Sequence, residues 1–116
     1  MLHMMKKNIE LNNAGSTVKA CVMDWGNPLS ASTGPDNESI PKPDLILAAD
    51  CVYFEPSFPL LEQTLKDLVV DDAVCIFCYK ERRKADRRFM SRIRKLFSTE
   101  ELKVDWSDEN RHKVYL

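Results

Sequence analysis

The sequence predicts an α/β fold in which helices are layered on a mostly parallel sheet with an antiparallel carboxyl-terminal strand. Three observations lead there. The runs 44–49 and 73–79 are apolar without alternation, as in parallel strands covered on both faces. Each is followed by residues with helical periodicity, and the chain ends in two short strand candidates, 101–106 and 112–116.

The elements follow in order. Over residues 2–13 the apolar positions Leu2, Met5 and Ile9 share one helical face, and Gly15 is suited to a left-handed cap after Asn12-Asn13-Ala14. Residues 17–23 are small and β-branched and run into Asp24-Trp25-Gly26, which reads as a strand ending in a turn. The segment 27–43 holds four of the six prolines and is expected to be a surface loop. The strand at 44–49 stops at Asp50. Beyond Pro56, Ser57 can cap a helix with the stripe Phe58, Leu61, Leu65 and Leu68, which closes before Asp71-Asp72. After the strand at 73–79, the segment 82–97 carries Ala85, Phe89, Ile93 and Leu96 at helical spacing among charges.

Composition narrows the class. A chain of 116 residues has room for one domain, 1–116, and its 44% hydrophobic content excludes fibrous and wholly disordered readings. The longest apolar run, 73–79, falls far short of the ~20 residues of a membrane-crossing helix. The opening Met1-Leu2-His3-Met4-Met5-Lys6-Lys7 turns polar too early for the core of a signal peptide. The expected compartment is the cytoplasm, with the nucleus as the alternative. Cys21, Cys51, Cys75 and Cys78 sit in apolar segments and read as free thiols. Cys75 and Cys78 have the spacing of half a metal site, but strand alternation sends them to opposite faces and no second half accompanies them, so no metal is expected.

Ligands of such sheets sit outside the carboxyl ends of the strands. That directs attention to 24–26, 49–55 and 79–83. There, Asp44-Leu45-Ile46-Leu47-Ala48-Ala49-Asp50-Cys51-Val52-Tyr53-Phe54-Glu55 resembles the strand-four signature of the seven-strand, Rossmann-like protein-lysine methyltransferases, with Asp50-Cys51-Val52-Tyr53 matching their D-x-x-Y motif. The preceding Lys6-Lys7-Asn8-Ile9-Glu10-Leu11-Asn12, the strand end Asp24-Trp25-Gly26 and the later Tyr79-Lys80-Glu81-Arg82-Arg83 are similar to their counterparts in the same family. The members most alike methylate a lysine of translation elongation factors, which makes a protein substrate, with elongation factor 1-alpha as the candidate, the implied partner.

The resemblance implies S-adenosylmethionine as cofactor. It puts Trp25 against the adenine, with Asp24 beside it, and makes Ala49 the small residue that lets the cofactor lie close. Asp50 and Tyr53 would line the channel for the substrate lysine. A lysine amine, with a reference pKa of about 10.4, attacks a methyl group only when neutral, so the site must remove its proton and aim its lone pair. An apolar channel lowers that pKa by desolvation, and a carboxylate and a hydroxyl can orient the nitrogen. Because a carboxylate also favours the ammonium form, Asp50 suits recruiting and positioning better than deprotonation. On residue chemistry alone, Asp50 also fits a strand-ending cap, Tyr53 a half-buried packing residue and Trp25 a core residue.

The family's first strand, its Gly-rich turn and the acid that binds the ribose would precede Met4, and Gly15, Gly26 and Gly34 form no Gly-x-Gly cradle. The expectation is therefore a partial methyltransferase fold lacking the first two strands of the order 3-2-1-4-5-7-6, and short of activity by itself. Either the 17–23 strand slides over to pair with 44–49, or a partner chain completes the sheet, or the chain folds poorly.

A rival reading rests on charge. Residues 80–95 contain nine basic and two acidic residues, a local net of +7 in a chain whose formal net charge is −1. This suits a solvated outer helix, a surface docking protein, or, least well in the absence of any recognition motif, a nucleic-acid binder. A non-catalytic methyltransferase remnant is the third possibility.

Overall fold

The structure, a computed structural model, describes residues 1–28 and 40–102 and the backbone of 112–115. Its elements are α1 (Leu2–Leu11), β1 (Leu45–Ala49), a 3₁₀ turn (Glu55–Ser57), α2 (Phe58–Leu68), β2 (Val74–Lys80), α3 (Lys84–Leu96), β3 (Glu101–Leu102) and β4 (His112–Tyr115). Most of the expected 27–43 loop, and the expected strand beyond Leu102, lie outside the described residues.

The sheet has the order β1-β2-β4-β3. β1 and β2 are parallel, with Leu45 opposite Val74 and Ala49 opposite Cys78. β4 runs antiparallel to both β2 and β3. This is the 4-5-7-6 portion of the expected strand order, with a single parallel pair. The partial Rossmann-like architecture is present, and the predominance of parallel pairing does not extend over the described strands.

Helix α2 starts with Pro59 near its N-terminus, where a missing amide hydrogen costs nothing. Ser57 does not cap it: its hydroxyl donates to the Phe54 carbonyl at 2.7 Å, because Ser57 belongs to the preceding 3₁₀ turn. Helix α3 ends at Leu96, with Arg94 and Lys95 in its last turn, where cations complement the helix dipole.

Both helices pack on one face of the sheet. The core joins Val52, Phe58, Leu61 and Leu65 to Phe77 and Tyr79 of β2 and to Ala85, Phe89, Met90 and Ile93 of α3. Phe89 is its pivot, with its ring 4.9 Å from Phe58 and 6.4 Å from Phe77, centroid to centroid. On α3 the inward stripe takes Met90 and Asp86 and leaves Leu96 exposed, so the stripe curves off the expected line near the C-terminus. Cys75 shares the core face with Phe77 and Tyr79, while Cys78 belongs to the other face by strand parity. All four cysteines are free and partly exposed rather than buried.

Three local expectations are corrected. First, β1 is covered on one face only: Ile46 and Ala48 are half-buried, whereas Leu45 and Leu47 are 53% and 73% exposed. With α2 and α3 on the same side, no described helix covers these leucines. Second, 17–23 is not a strand. After a turn closed by Thr17 and Val18 amides on the Ala14 carbonyl, it runs on irregularly, and Val18 and Val22 are exposed. β-Branched residues favour a strand only where a neighbour offers ladder partners, and among the described strands β1 pairs with β2 alone. Third, α1 is closed by Asn13 at φ 52°, not by Gly15. Asn is the residue that tolerates that conformation best after glycine, and its amide already bonds the Glu10 carbonyl.

Candidate active site

The carboxyl ends of β1 and β2 converge with the Trp25 turn and the start of α3. β1 leads into Asp50, whose φ of 53° bends the chain out of the strand while its amide stays bonded to the Cys78 carbonyl at 2.8 Å. Two residues on, Val52 is completely buried in the core. That anchor displays Tyr53 and Phe54, 62% and 54% exposed, on the surface. Tyr53 is thus a presented side chain and not the half-buried packing residue that its chemistry alone allows.

Trp25 approaches from the other side. Its ring centroid lies 6.4 Å from that of Tyr53, with the planes tilted by 56°. The indole packs against the core without being buried in it. Its position is set by the next residue: the Gly26 amide donates to the Thr64 hydroxyl at 2.9 Å, and that buried hydroxyl donates to the Leu60 carbonyl one turn back on α2. Gly26 has φ 85°, a conformation that favours glycine, and a Cβ on it would lie 2.6 Å from a Leu60 methyl, which would have to move aside. Ala49 is exposed at the end of β1, and Asp24 is exposed with its carbonyl closing a turn to the Asn27 amide.

The expected residues are therefore brought to one end of the sheet as two groups. Trp25 and Tyr53 stand side by side, and Asp50 turns to Arg82, whose Nη1 donates to its carboxylate at 3.1 Å. Behind them is a set of residues to which sequence reasoning gave no role, although it directed attention to 79–83. Asp86, with no exposed surface, accepts hydrogen bonds from the Arg82 and Arg83 amides at 3.0 and 2.9 Å. Arg83 Nη2 donates both to the other Asp86 oxygen at 3.0 Å and to the Tyr53 carbonyl at 2.8 Å. The available signal was an acid three residues into a helix, the half of a capping box that reaches back to the N-cap amide.

Much of the basic run is engaged in ion pairs while its arginine side chains stay 44–71% exposed. Arg82, Arg83, Arg87, Arg88, Arg92 and Arg94 pair with Asp50, Asp86, Glu81, Glu55, Glu62 and Glu101 at 2.8–3.6 Å. Four of those acids lie in other segments and two, Glu81 and Asp86, within the run itself, so the fold offsets part of the local excess of charge.

Burial, and secondarily the charge of Asp50, pushes the Cys51 thiol above its ordinary range. Burial, and secondarily Cys51, does the same to Cys75. Both are protonated thiols at neutral pH, not nucleophiles. Among the described residues no cluster could hold a metal ion, and no helix is long and apolar enough to cross a membrane.

A family model described as lysine methyltransferase matches residues 1–96. The chain belongs to this lysine methyltransferase family. Over its whole length it is 42% identical to the protein-lysine N-methyltransferase EFM6 of Saccharomyces cerevisiae, of which it spans 47%. Over 53% of its length it is 44% identical to the protein N-lysine methyltransferase METTL21A of Danio rerio, and over 58% it is 37% identical to the EEF1A lysine methyltransferase 3 of Mus musculus. It spans 28% and 26% of those two proteins, so the chain covers half or less of the length of these relatives. For a lysine methyltransferase, the presented Tyr53 and the Asp50 carboxylate at the strand ends lie where this class of sheet binds its ligands.

Proposed function

We propose that this chain contributes the lysine-binding side of the active site of an S-adenosylmethionine-dependent protein-lysine N-methyltransferase that acts in the cytoplasm on a translation elongation factor, elongation factor 1-alpha being the candidate. The observation that carries this reading is the placement of Asp50 and of the Trp25–Tyr53 pair at the carboxyl end of β1, which pairs in parallel with β2. The name of the yeast relative supports a protein lysine as substrate, and that of the mouse relative supports elongation factor 1-alpha as the candidate.

The residues present fit one wall of a cofactor site. Trp25 offers a partly exposed indole held firmly by Gly26 and Thr64, and Ala49 presents a single methyl group at the strand end, so a flat heteroaromatic ring can approach both. Asp24, exposed beside Trp25, is available to accept a hydrogen bond from a bound group. When bound, S-adenosylmethionine would supply the methyl group on a sulfonium. Asp50 attracts the incoming ammonium, and its partner Arg82 moderates that attraction, so the lysine is guided in without being held in its charged form. The Tyr53 ring gives the aliphatic stem of the lysine an apolar surface beside Trp25, and its hydroxyl can orient the amine. The edge of β1, unpaired among the described strands, and the exposed Leu45 and Leu47 support a further strand from elsewhere in the protein or from a partner chain.

The test is transfer of labelled methyl to elongation factor 1-alpha by a complete enzyme that carries this chain and by its Asp50→Ala variant, with folding checked by circular dichroism. Transfer that disappears in the variant supports the assignment. Transfer that survives it intact removes Asp50 from the site.

A further inference from the structure

We propose that Arg83, clamped by the buried Asp86, is a positioning residue that holds the Asp50–Tyr53 loop in register with Trp25. The inference rests on the methyltransferase reading above and extends it to residues outside the D-x-x-Y motif.

Three observations converge. Asp86 is fully buried and accepts from three donors, namely two backbone amides and the Arg83 guanidinium. An ion in that position is tolerable only because it is fully bonded, and the bonding makes the turn before α3 rigid. The same guanidinium nitrogen of Arg83 that bonds Asp86 donates to the Tyr53 carbonyl, thirty residues away in the chain. The neighbouring Arg82 bonds the Asp50 carboxylate at the other end of the same loop. The two consecutive arginines therefore grip the loop at its first and fourth residues, and Asp86 fixes both arginines by their amides.

The loop needs such a grip. Val52 pins its middle into the core, but Tyr53 is largely exposed and carries only its ring contact to Trp25. The Arg83 bond to the Tyr53 backbone sets the point from which that side chain projects. The bond is to a carbonyl, so Arg83 acts through Tyr53 and has no contact with a reacting atom. Removal of the Arg83 side chain leaves both amide bonds to Asp86 but takes away the cation that pairs with this buried carboxylate, whereas removal of Asp86 would strip two amides of their acceptor, so Arg83→Ala is the milder change and Arg83→Lys keeps a cation in place.

The experiment compares wild type, Arg83→Ala, Arg83→Lys and the control Arg87→Ala, whose arginine pairs with Glu81 and does not reach the loop. Amide hydrogen exchange over 50–57 reads the loop, exchange in β1 and β2 reads the fold, and labelled methyl transfer read as kcat and cofactor KM tests the purpose. The proposal expects exchange over 50–57 to speed up in Arg83→Ala by about ten-fold more than exchange in β1 and β2, the strands reading the general destabilisation from unpairing Asp86. It expects kcat to fall with cofactor KM unaltered, Arg83→Lys to recover part of both effects, and Arg87→Ala to match wild type. Unchanged exchange over 50–57 overturns the proposal, and faster exchange with an unchanged kcat overturns the positioning role. Absence of both cofactor binding and transfer in a complete enzyme that carries this chain instead overturns the methyltransferase reading.

Discussion

The carboxylate of Asp86 accepts from both the backbone amide and the guanidinium of Arg83, at 2.9 and 3.0 Å, with no surface exposed to solvent. A single short helix start thereby organises the loop that carries Asp50 and Tyr53. Replacing Asp86 by Asn keeps the shape and one acceptor but removes the charge and sets an amide group against Arg83. The expected cost is about 3 kcal/mol, as for breaking a buried ion pair, seen as a lower urea midpoint with an unchanged slope.

Gly26→Ala tests the anchoring of Trp25. The substitution combines a left-handed backbone with a Cβ 2.6 Å from a Leu60 methyl. It is expected to destabilise the chain by about 1–2 kcal/mol and to red-shift Trp25 emission, measured in a Trp106→Phe background to isolate that ring. Thr64→Val, which leaves the Gly26 amide without its acceptor, is expected to change the same emission without the backbone strain.

These anchors mark the boundary of what sequence patterns reveal. The unalternated runs located β1 and β2, and helical spacing located α2 and α3, because burial of apolar side chains imposes a period on neighbouring residues. The 17–23 segment shows the limit of composition: Val18 and Val22 look strand-like, but a ladder needs a partner that local sequence does not encode. Of the candidate site, Asp50, Tyr53 and Trp25 were singled out through resemblance. Arg83 fell within the segment 79–83 that drew attention, but the parts played by it and Asp86 were hidden in a run of charges, since the bond from Arg83 to Tyr53 spans the fold and obeys no period.

The thiols give a pH dependence. Cys51 and Cys75 both titrate above the ordinary thiol value of 9.0 in the folded chain. The native state therefore holds their protons more tightly than the unfolded state, so their contribution to stability is full below that value and is lost as pH rises through the raised ones. Urea midpoints should fall above pH about 9. The Cys51→Ala/Cys75→Ala double variant should lose less over the same range, and both thiols should react slowly with iodoacetamide at pH 7.

The outer ion pairs are expected to matter little. Arg87 and Arg88 have side chains 70% and 71% exposed, paired at 2.8 and 3.3 Å. Replacing either with Ala should change stability by less than about 1 kcal/mol, and 0.5 M salt should erase even that difference in thermal melts.

The central claim is that Trp25, Ala49 and the Asp50–Tyr53 loop form part of a methyl-donor site. Calorimetric titration of the purified chain with S-adenosylhomocysteine tests it most directly, run beside the Trp25→Ala variant. The account predicts saturable binding that weakens at least ten-fold in the variant, in line with loss of an aromatic stacking surface. Binding of equal strength in both, or none by a chain shown to be folded, would contradict it.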